Sequence, residues 1–155
     1  MHIVVFEVAG QRYAVPLAIV REIFLATAVQ PLLEGPAVVE GLVDVRGSVT
    51  PVVSLRRRLG LERNERDLAS HFIRVNLDGR SLLLRTDRVV DVVEIDPADL
   101  TDVVALVPRL DHLAGAAQLP DGLTVICDIG AFLSEAESLA VDELLREAGA
   151  IPGNG

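Results

Sequence analysis

Apolar residues recur along this chain in short runs of period two, broken at short intervals by glycine, proline or charge, which is the pattern of an all-β chain. Ile3 to Val8 reads as a strand, Ala9-Gly10-Gln11 as a turn and Arg12 to Val15 as the returning strand of a hairpin. Pro16 opens Leu17 to Ile23, whose spacing suits either one helical turn or a half-buried strand; both readings stay open. Pro31 and Pro36 lack the backbone donors that a central strand needs, so regular structure is expected to pause there and resume at Val38. Gly41 to Leu55 predicts two strands around a tight Arg46-Gly47 turn, and Leu55 to Leu59 a turn of helix ended by Gly60.

Arg56 to Asp67 is charged and poor in bulky apolar residues, so it reads as a solvated connection. The pattern then restarts: Phe72 to Leu77, an Asp78-Gly79 turn, and Ser81 to Leu84. Phe6 to Gly10 matches Val75 to Gly79 and Val20 matches Val89; farther on, Gly41 matches Gly115 and Leu55 matches Ile129. The halves therefore look like a duplicated small β unit, the alternative being the chance likeness of any two β-rich segments. The last element is a helix, with Ser134 and Glu137 as a capping box and Ala136, Ala140, Val141, Leu144, Leu145 and Ala148 as one apolar face ended by Gly149. The tail from Ile151 carries no evident structure.

Composition narrows the function. All 14 basic residues are Arg, and 23 carboxylates bring the net charge to -9. Nucleic acid needs a basic footprint and an anionic membrane needs clustered cations, so protein partners remain. No apolar run is long enough to span a bilayer, no signal peptide is read at Met1-His2-Ile3, and a single Cys127 cannot form an internal disulfide. Cytoplasm is the expected compartment.

Catalytic chemistry finds little support. His2, His71 and His112 are dispersed, and Arg46-Gly47-Ser48-Val49-Thr50 lacks the second glycine of a nucleophile elbow. Asp87, Asp91, Glu94, Asp96, Asp99 and Asp102 are crowded but not spaced as a calcium loop; Asp96 instead reads as the cap of a short helix with Pro97 at its first position. Cys127, within Leu123 to Cys127, reads as a core thiol. Arg56-Arg57-Arg58 reads as a solvated face or as partners of Glu62 and Glu65. A small hydrolase or ligand-binding barrel would require a pocket lined by Asp87, His71 or His112.

Gly41, the turn Asp44-Val45-Arg46-Gly47 and the strand Pro51-Val52-Val53-Ser54-Leu55 resemble the CheW family of chemotaxis coupling proteins, which shows a Gly-led strand, an Asn-x-Arg-Gly turn and Pro-Val-x-x-Leu. The likeness extends through Tyr13 to Leu17, Val20 to Ile23, Arg56 to Gly60, Thr86 to Val89 and Leu123 to Leu133, roughly Ile3 to Leu145 in all. Asp44 departs from the usual Asn, Leu83 from a common Gly, and Arg85 from an apolar strand. The resemblance implies an all-β fold of two packed five-stranded SH3-like β-barrels plus a C-terminal helix. On that reading 1–148 is one domain, with 1–66 the first barrel, 67–133 the second, strand exchange between them left open, 134–148 the helix and 149–155 a disordered tail.

It further implies a non-enzymatic adaptor without cofactor or metal, coupling a chemoreceptor cytoplasmic tip to a histidine kinase regulatory domain that is itself CheW-like. The alternatives are a scaffold or regulator of the same fold in surface motility or gene regulation and, less favoured, a small ligand-binding barrel. Partner binding maps onto Leu17, Val20, Glu22, Ile23, Gly41, Asp44 and Arg46, with Val38 and Val39 as weaker candidates, as an exposed apolar stripe flanked by Glu22 and Arg46. Arg46 has no counterpart in the second half, where Pro120 holds the matching position.

Overall fold

The computed structural model describes residues 1–32, 34–60, 70–77, 79–101, 113–120, 122–131 and 135–147. Asp78, His112, Asp102, Ser134, Glu62, Glu65 and the 149–155 tail, each part of an expectation above, lie outside the described residues. Strands β1 (His2–Val8) and β2 (Gln11–Pro16) form the first hairpin, with Ala9 and Gly10 both at positive φ, the geometry of a two-residue turn that matches strand twist. The ambiguous segment adopts both of its readings in succession, a 3-10 turn Leu17–Ile19 and then β3 (Val20–Leu25).

The expected pause at the prolines is incomplete. Gln30–Pro31 forms a two-residue strand, β4, against β5 (Val39–Val45). Proline is tolerated there because β4 is the edge of its sheet, where a missing N–H leaves no ladder bond unmade. β6 (Ser48–Ser54) returns from β5, and Ser54 caps α1 (Leu55–Arg58) through its hydroxyl, which accepts from Arg57 N.

The second half gives β7 (His71–Leu77), β8 (Arg80–Thr86) and β9 (Arg88–Glu94), then the 3-10 turn Pro97–Asp99, whose Ala98 N donates to Asp96 Oδ1. β10 (Leu113–Leu119), β11 (Gly122–Cys127), a 3-10 turn Ile129–Ala131 and α2 (Glu135–Glu147) follow.

One sheet runs β10-β11-β2-β1-β9 and the other β3-β7-β8-β6-β5-β4. Each draws strands from both halves of the chain, joined by the parallel pairings β11–β2 and β6–β8. The internal repeat accounts for this arrangement, because hairpin β1–β2 corresponds to β7–β8, β3 to β9, and β5–β6 to β10–β11. Even the irregularities recur. Register slips between Val39 and Gly41 and again between Leu113 and Gly115; it slips between Val20 and Glu22 on β3 and again between Val89 and Asp91 on β9. Gly41 lies beneath the carbonyl of Gln30 and Gly115 beneath that of Thr101, whose bridge to Ala116 is the second half's version of β4. Chance likeness would not reproduce bulges at matching positions, so the duplication is structural.

The fold is all-β, with two five-stranded SH3-like barrels, the second extended by β4. Alternation along each strand divides the core into three layers. Ile3, Val5, Ala14 and Ile126 fill the first barrel, and Val43, Val52, Phe72 and Leu83 fill the second. Val4, Phe6, Val8, Ile73, Val75, Leu82 and Leu84 point the other way and pack barrel against barrel. Helix α2 adds Val141, only 1% exposed, to this middle layer. Ion pairs from Arg58 to Glu137 and from Arg80 to Asp142 (2.6 Å) anchor it.

The arginine run differs from the solvated face expected of it. Arg56 binds Asp87 through Nε and Nη2, Arg57 donates to the Ala37 carbonyl, and Arg58 reaches α2. A single helical turn sends neighbouring residues in different directions, so each arginine ties down a different element. Asp87 also accepts from Ala9 N at 2.8 Å, which fixes the β1–β2 turn to the entrance of β9.

Candidate functional site

Glu22 stands on β3, an edge strand of the second sheet, and Arg46 at the tip of the β5–β6 turn. The turn is built by its own sequence: Asp44 Oδ1 accepts from Gly47 N at 2.7 Å, while Arg46 and Gly47 take φ of 51° and 86°. Asp in place of the family's Asn therefore keeps the local bond, since only a side-chain acceptor is required. Glycine reaches such φ freely, whereas arginine there is strained, and the chain accepts that strain at an exposed turn tip.

From this tip the guanidinium grips the carboxylate bidentately, Nη1 to Glu22 Oε2 at 2.7 Å and Nη2 to Oε1 at 2.8 Å. Arg74 Nε approaches Oε1 to 3.4 Å from β7. The hydrogen bond from Arg46, aided by the positive charge of both arginines, lowers the Glu22 pKa from its ordinary value. Arg46 is correspondingly raised, chiefly by the same hydrogen bond. β3 and β5 lie toward opposite ends of the sheet order, so this contact marks the curl that closes the second barrel.

The pair overhangs a shallow hollow of about 280 Å³ lined by Glu22, Phe24, Thr27, Val43, Asp44, Val45 and Arg46. Its floor is the partly exposed margin of the barrel's apolar core. An apolar floor with a charged rim suits docking of a partner side chain. Among the described residues no cluster of His, Cys, Asp or Glu could hold a metal ion.

The anticipated stripe divides. Glu22, Asp44 and Arg46 come together, but Ile23 pairs with Ile73 and Val20 with Val75, which places both on the face of β3 that borders the inter-barrel layer. There Val20 is half-buried and Ile23 exposed, with Leu25 beyond it 63% exposed; Leu17 is exposed on the preceding 3-10 turn. Val38, Val39 and Gly41 are buried, so the expectation that an exposed stripe includes them does not hold. Val38 and Val39 pack in the inter-barrel layer, and Gly41 makes room for β4.

Sequence reasoning missed Phe24, Val43, Val45, Arg74 and Leu25. The alternation of Glu22 and Phe24 against Ile23 and Leu25 was the available signal, and it needed β3 to be read as a strand.

The other candidates fall into structural places. Cys127 is buried, and burial pushes its thiol up to about 12. His71 Nδ1 accepts weakly from Val89 N at 3.4 Å, and exposed His2 lies 3.7 Å from Glu94. A second hollow of about 220 Å³ beside Cys127 is predominantly apolar, and neither hollow is lined by Asp87 or His71. Of the departures, Leu83 is fully buried, and Arg85 is held by Glu40 Oε2 and Ser70 Oγ, each at 2.7 Å.

Comparison with known proteins gives a consistent result. A family model described as the CheW-like domain matches residues 2–137. Chemotaxis protein CheW of Rhizobium meliloti (strain 1021) is 31% identical over 98 residues, which span 63% of this chain and 63% of that protein. Chemotaxis protein CheW of Klebsiella aerogenes is 22% identical over 144 residues, 92% of this chain and 87% of that one. The crystal structure of scaffolding protein TtCheW from Thermoanaerobacter tengcongensis superposes with a TM-score of 0.73 at 26% identity, covering 81% of this chain and 87% of that chain.

Proposed function

Because that match takes in nearly the whole described structure, the chain belongs to the CheW-like domain family, and from this premise we propose that it is a non-enzymatic adaptor coupling a chemoreceptor to a histidine kinase in chemotaxis signalling. It works by binding alone, in the cytoplasm, on the chemoreceptor's cytoplasmic tip and the kinase's CheW-like regulatory domain. Among its described residues no helix is long and apolar enough to cross a membrane.

The observation that carries the reading is the bidentate Arg46–Glu22 pair set over an apolar hollow. An exposed ion pair contributes little to stability but selects a partner by complementarity. We assign partner contact to Glu22, Asp44 and Arg46 at the hollow and to Val20 and Ile23 on the other side of β3 with Leu17 on the turn before it, while Val38, Val39 and Gly41 support β5 from within. Opposite faces of one edge strand give two separable surfaces, as an adaptor with two partners needs.

The test is Arg46→Glu, which sets two carboxylates against each other at the rim. It should melt within a few degrees of the parent and lose affinity for the kinase regulatory domain or the receptor tip. Parental affinity for both would remove the rim from the binding surface.

A further inference from the structure

We infer that Arg85 is a positioning residue for the recognition hollow, acting on its floor through a row of side chains that crosses the second barrel. The inference rests on the reading of the Glu22–Arg46 rim as a partner surface and adds to it a residue that neither lines the hollow nor resembles the family pattern.

Strand register supplies the row. Phe24 on β3 pairs with Phe72 on β7, and Phe72 pairs with Arg85 on β8. All three side chains emerge on the face turned into the barrel. The Arg85 guanidinium carbon lies 4.9 Å from the Phe72 ring centroid, within cation–π range, where the cation favours the electron-rich ring face. Phe24 meets the same ring edge-on, centroids 5.7 Å apart at 83°. Phe24 then forms part of the floor beneath Glu22 and Arg46.

The cation itself is held in place. Arg85 Nε donates to Glu40 Oε2 and Nη1 to Ser70 Oγ. Glu40 is the bulged residue between Val39 and Gly41 on β5, with its side chain only 9% exposed. Ser70 accepts from Ala26 N through its carbonyl and so holds the chain just after β3. Arg85 is thus bound directly to β5, which leads into the Arg46 turn, and through Ser70 to the exit of β3, which carries Glu22. An apolar residue at position 85 could fill the space but would fix neither the ring plane nor those two strands.

Removing Arg85 alone strands a buried carboxylate, so the informative variant is Glu40→Gln with Arg85→Met, compared with Arg85→Lys and with Arg46→Glu. The chain has four Phe, which makes ring signals of Phe24 and Phe72 straightforward to assign by labelled-phenylalanine NMR. The double variant should stay folded, shift both ring signals and bind the kinase regulatory domain or the receptor tip about tenfold more weakly. Arg85→Lys, which keeps a cation over the ring, should recover most of that affinity. An unmoved Phe24 signal overturns the inference whatever happens to the melting temperature. A shifted signal with parental affinity, in an assay where Arg46→Glu does weaken binding, overturns its recognition half while leaving the rim intact. If Arg46→Glu is also silent, the rim reading fails separately.

Discussion

Replacing Gly41 by alanine places a methyl carbon 2.0 Å from the Gln30 carbonyl oxygen and 2.8 Å from both Gln30 C and Val29 Cγ1. Side-chain β-carbons essentially never approach another heavy atom closer than 3.0 Å, so β4 would have to retreat by roughly 1 Å. β4 is held in the sheet by the pairing of Gln30 with Leu42 and of Pro31 with Gly41, and a net loss of about 1 kcal/mol per ladder bond adds to an overpacking cost of about 1–3 kcal/mol. With one ladder bond lost, the expected destabilisation is about 2–4 kcal/mol, or about 4–16 °C in Tm for a domain of this size. The repeat provides an internal control. At Gly115 the nearest atom to an added methyl is Thr101 O at 3.0 Å, a contact that a shift of a few tenths of an ångström relieves. Gly115→Ala should therefore cost about 1 kcal/mol or less. Urea unfolding of both variants measures the difference. Equal stability of the two variants, or parental stability of Gly41→Ala, would refute the reasoning.

Three further outcomes are expected. Cys127, with its thiol pushed up to about 12 by burial, should resist thiol reagents at pH 8 in the native state and react on unfolding. Its folded pKa lies above the ordinary 9.0, so this contribution is complete below pH 9 and is lost as pH rises toward 12, at up to about 1.4 kcal/mol per pH unit; urea midpoints that do not fall over that range would contradict it. Asp87→Ala removes the acceptor for Ala9 N and Arg56 together and should cost about 2 kcal/mol, with faster amide exchange at the β1–β2 turn; unchanged exchange there would show that the turn does not depend on Asp87. Val141→Ala should loosen α2 and cost about 1–2 kcal/mol; parental protection of α2 in hydrogen exchange would show that its docking does not depend on the buried valine.

The hairpins were legible because turn chemistry is local: Gly10 and Gly47 mark the Ala9-Gly10 and Arg46-Gly47 turns, whereas the positive φ of Ala9 and Arg46 has no mark in the sequence. Leu17 to Ile23 was not, because over seven residues the helical and strand periods coincide, and the structure uses both. The exchange of strands between barrels is a long-range choice. Period-two alternation identifies the two faces of β1 but not that both are covered, one by its own barrel and one by the other. For the same reason Val38 and Val39 read as a rim when they are core: an apolar residue near a turn carries no mark of which side it faces. Glu22 and Arg46 were each identifiable as candidates, whereas the bond between them depends on barrel closure. Arg85 stood out as a departure with no visible purpose, since its partner Glu40 lies 45 residues away in the chain.

The central claim is that this protein joins a receptor to a kinase by contact alone. The most direct measurement mixes the purified chain with a histidine kinase carrying its regulatory domain and with a chemoreceptor cytoplasmic fragment, both from the same genome, and follows co-sedimentation of all three. The kinase should sediment with receptor only when this chain is present, and Arg46→Glu should reduce the amount recovered. Kinase that sediments equally well without the chain, or a chain that binds neither partner, would contradict the account.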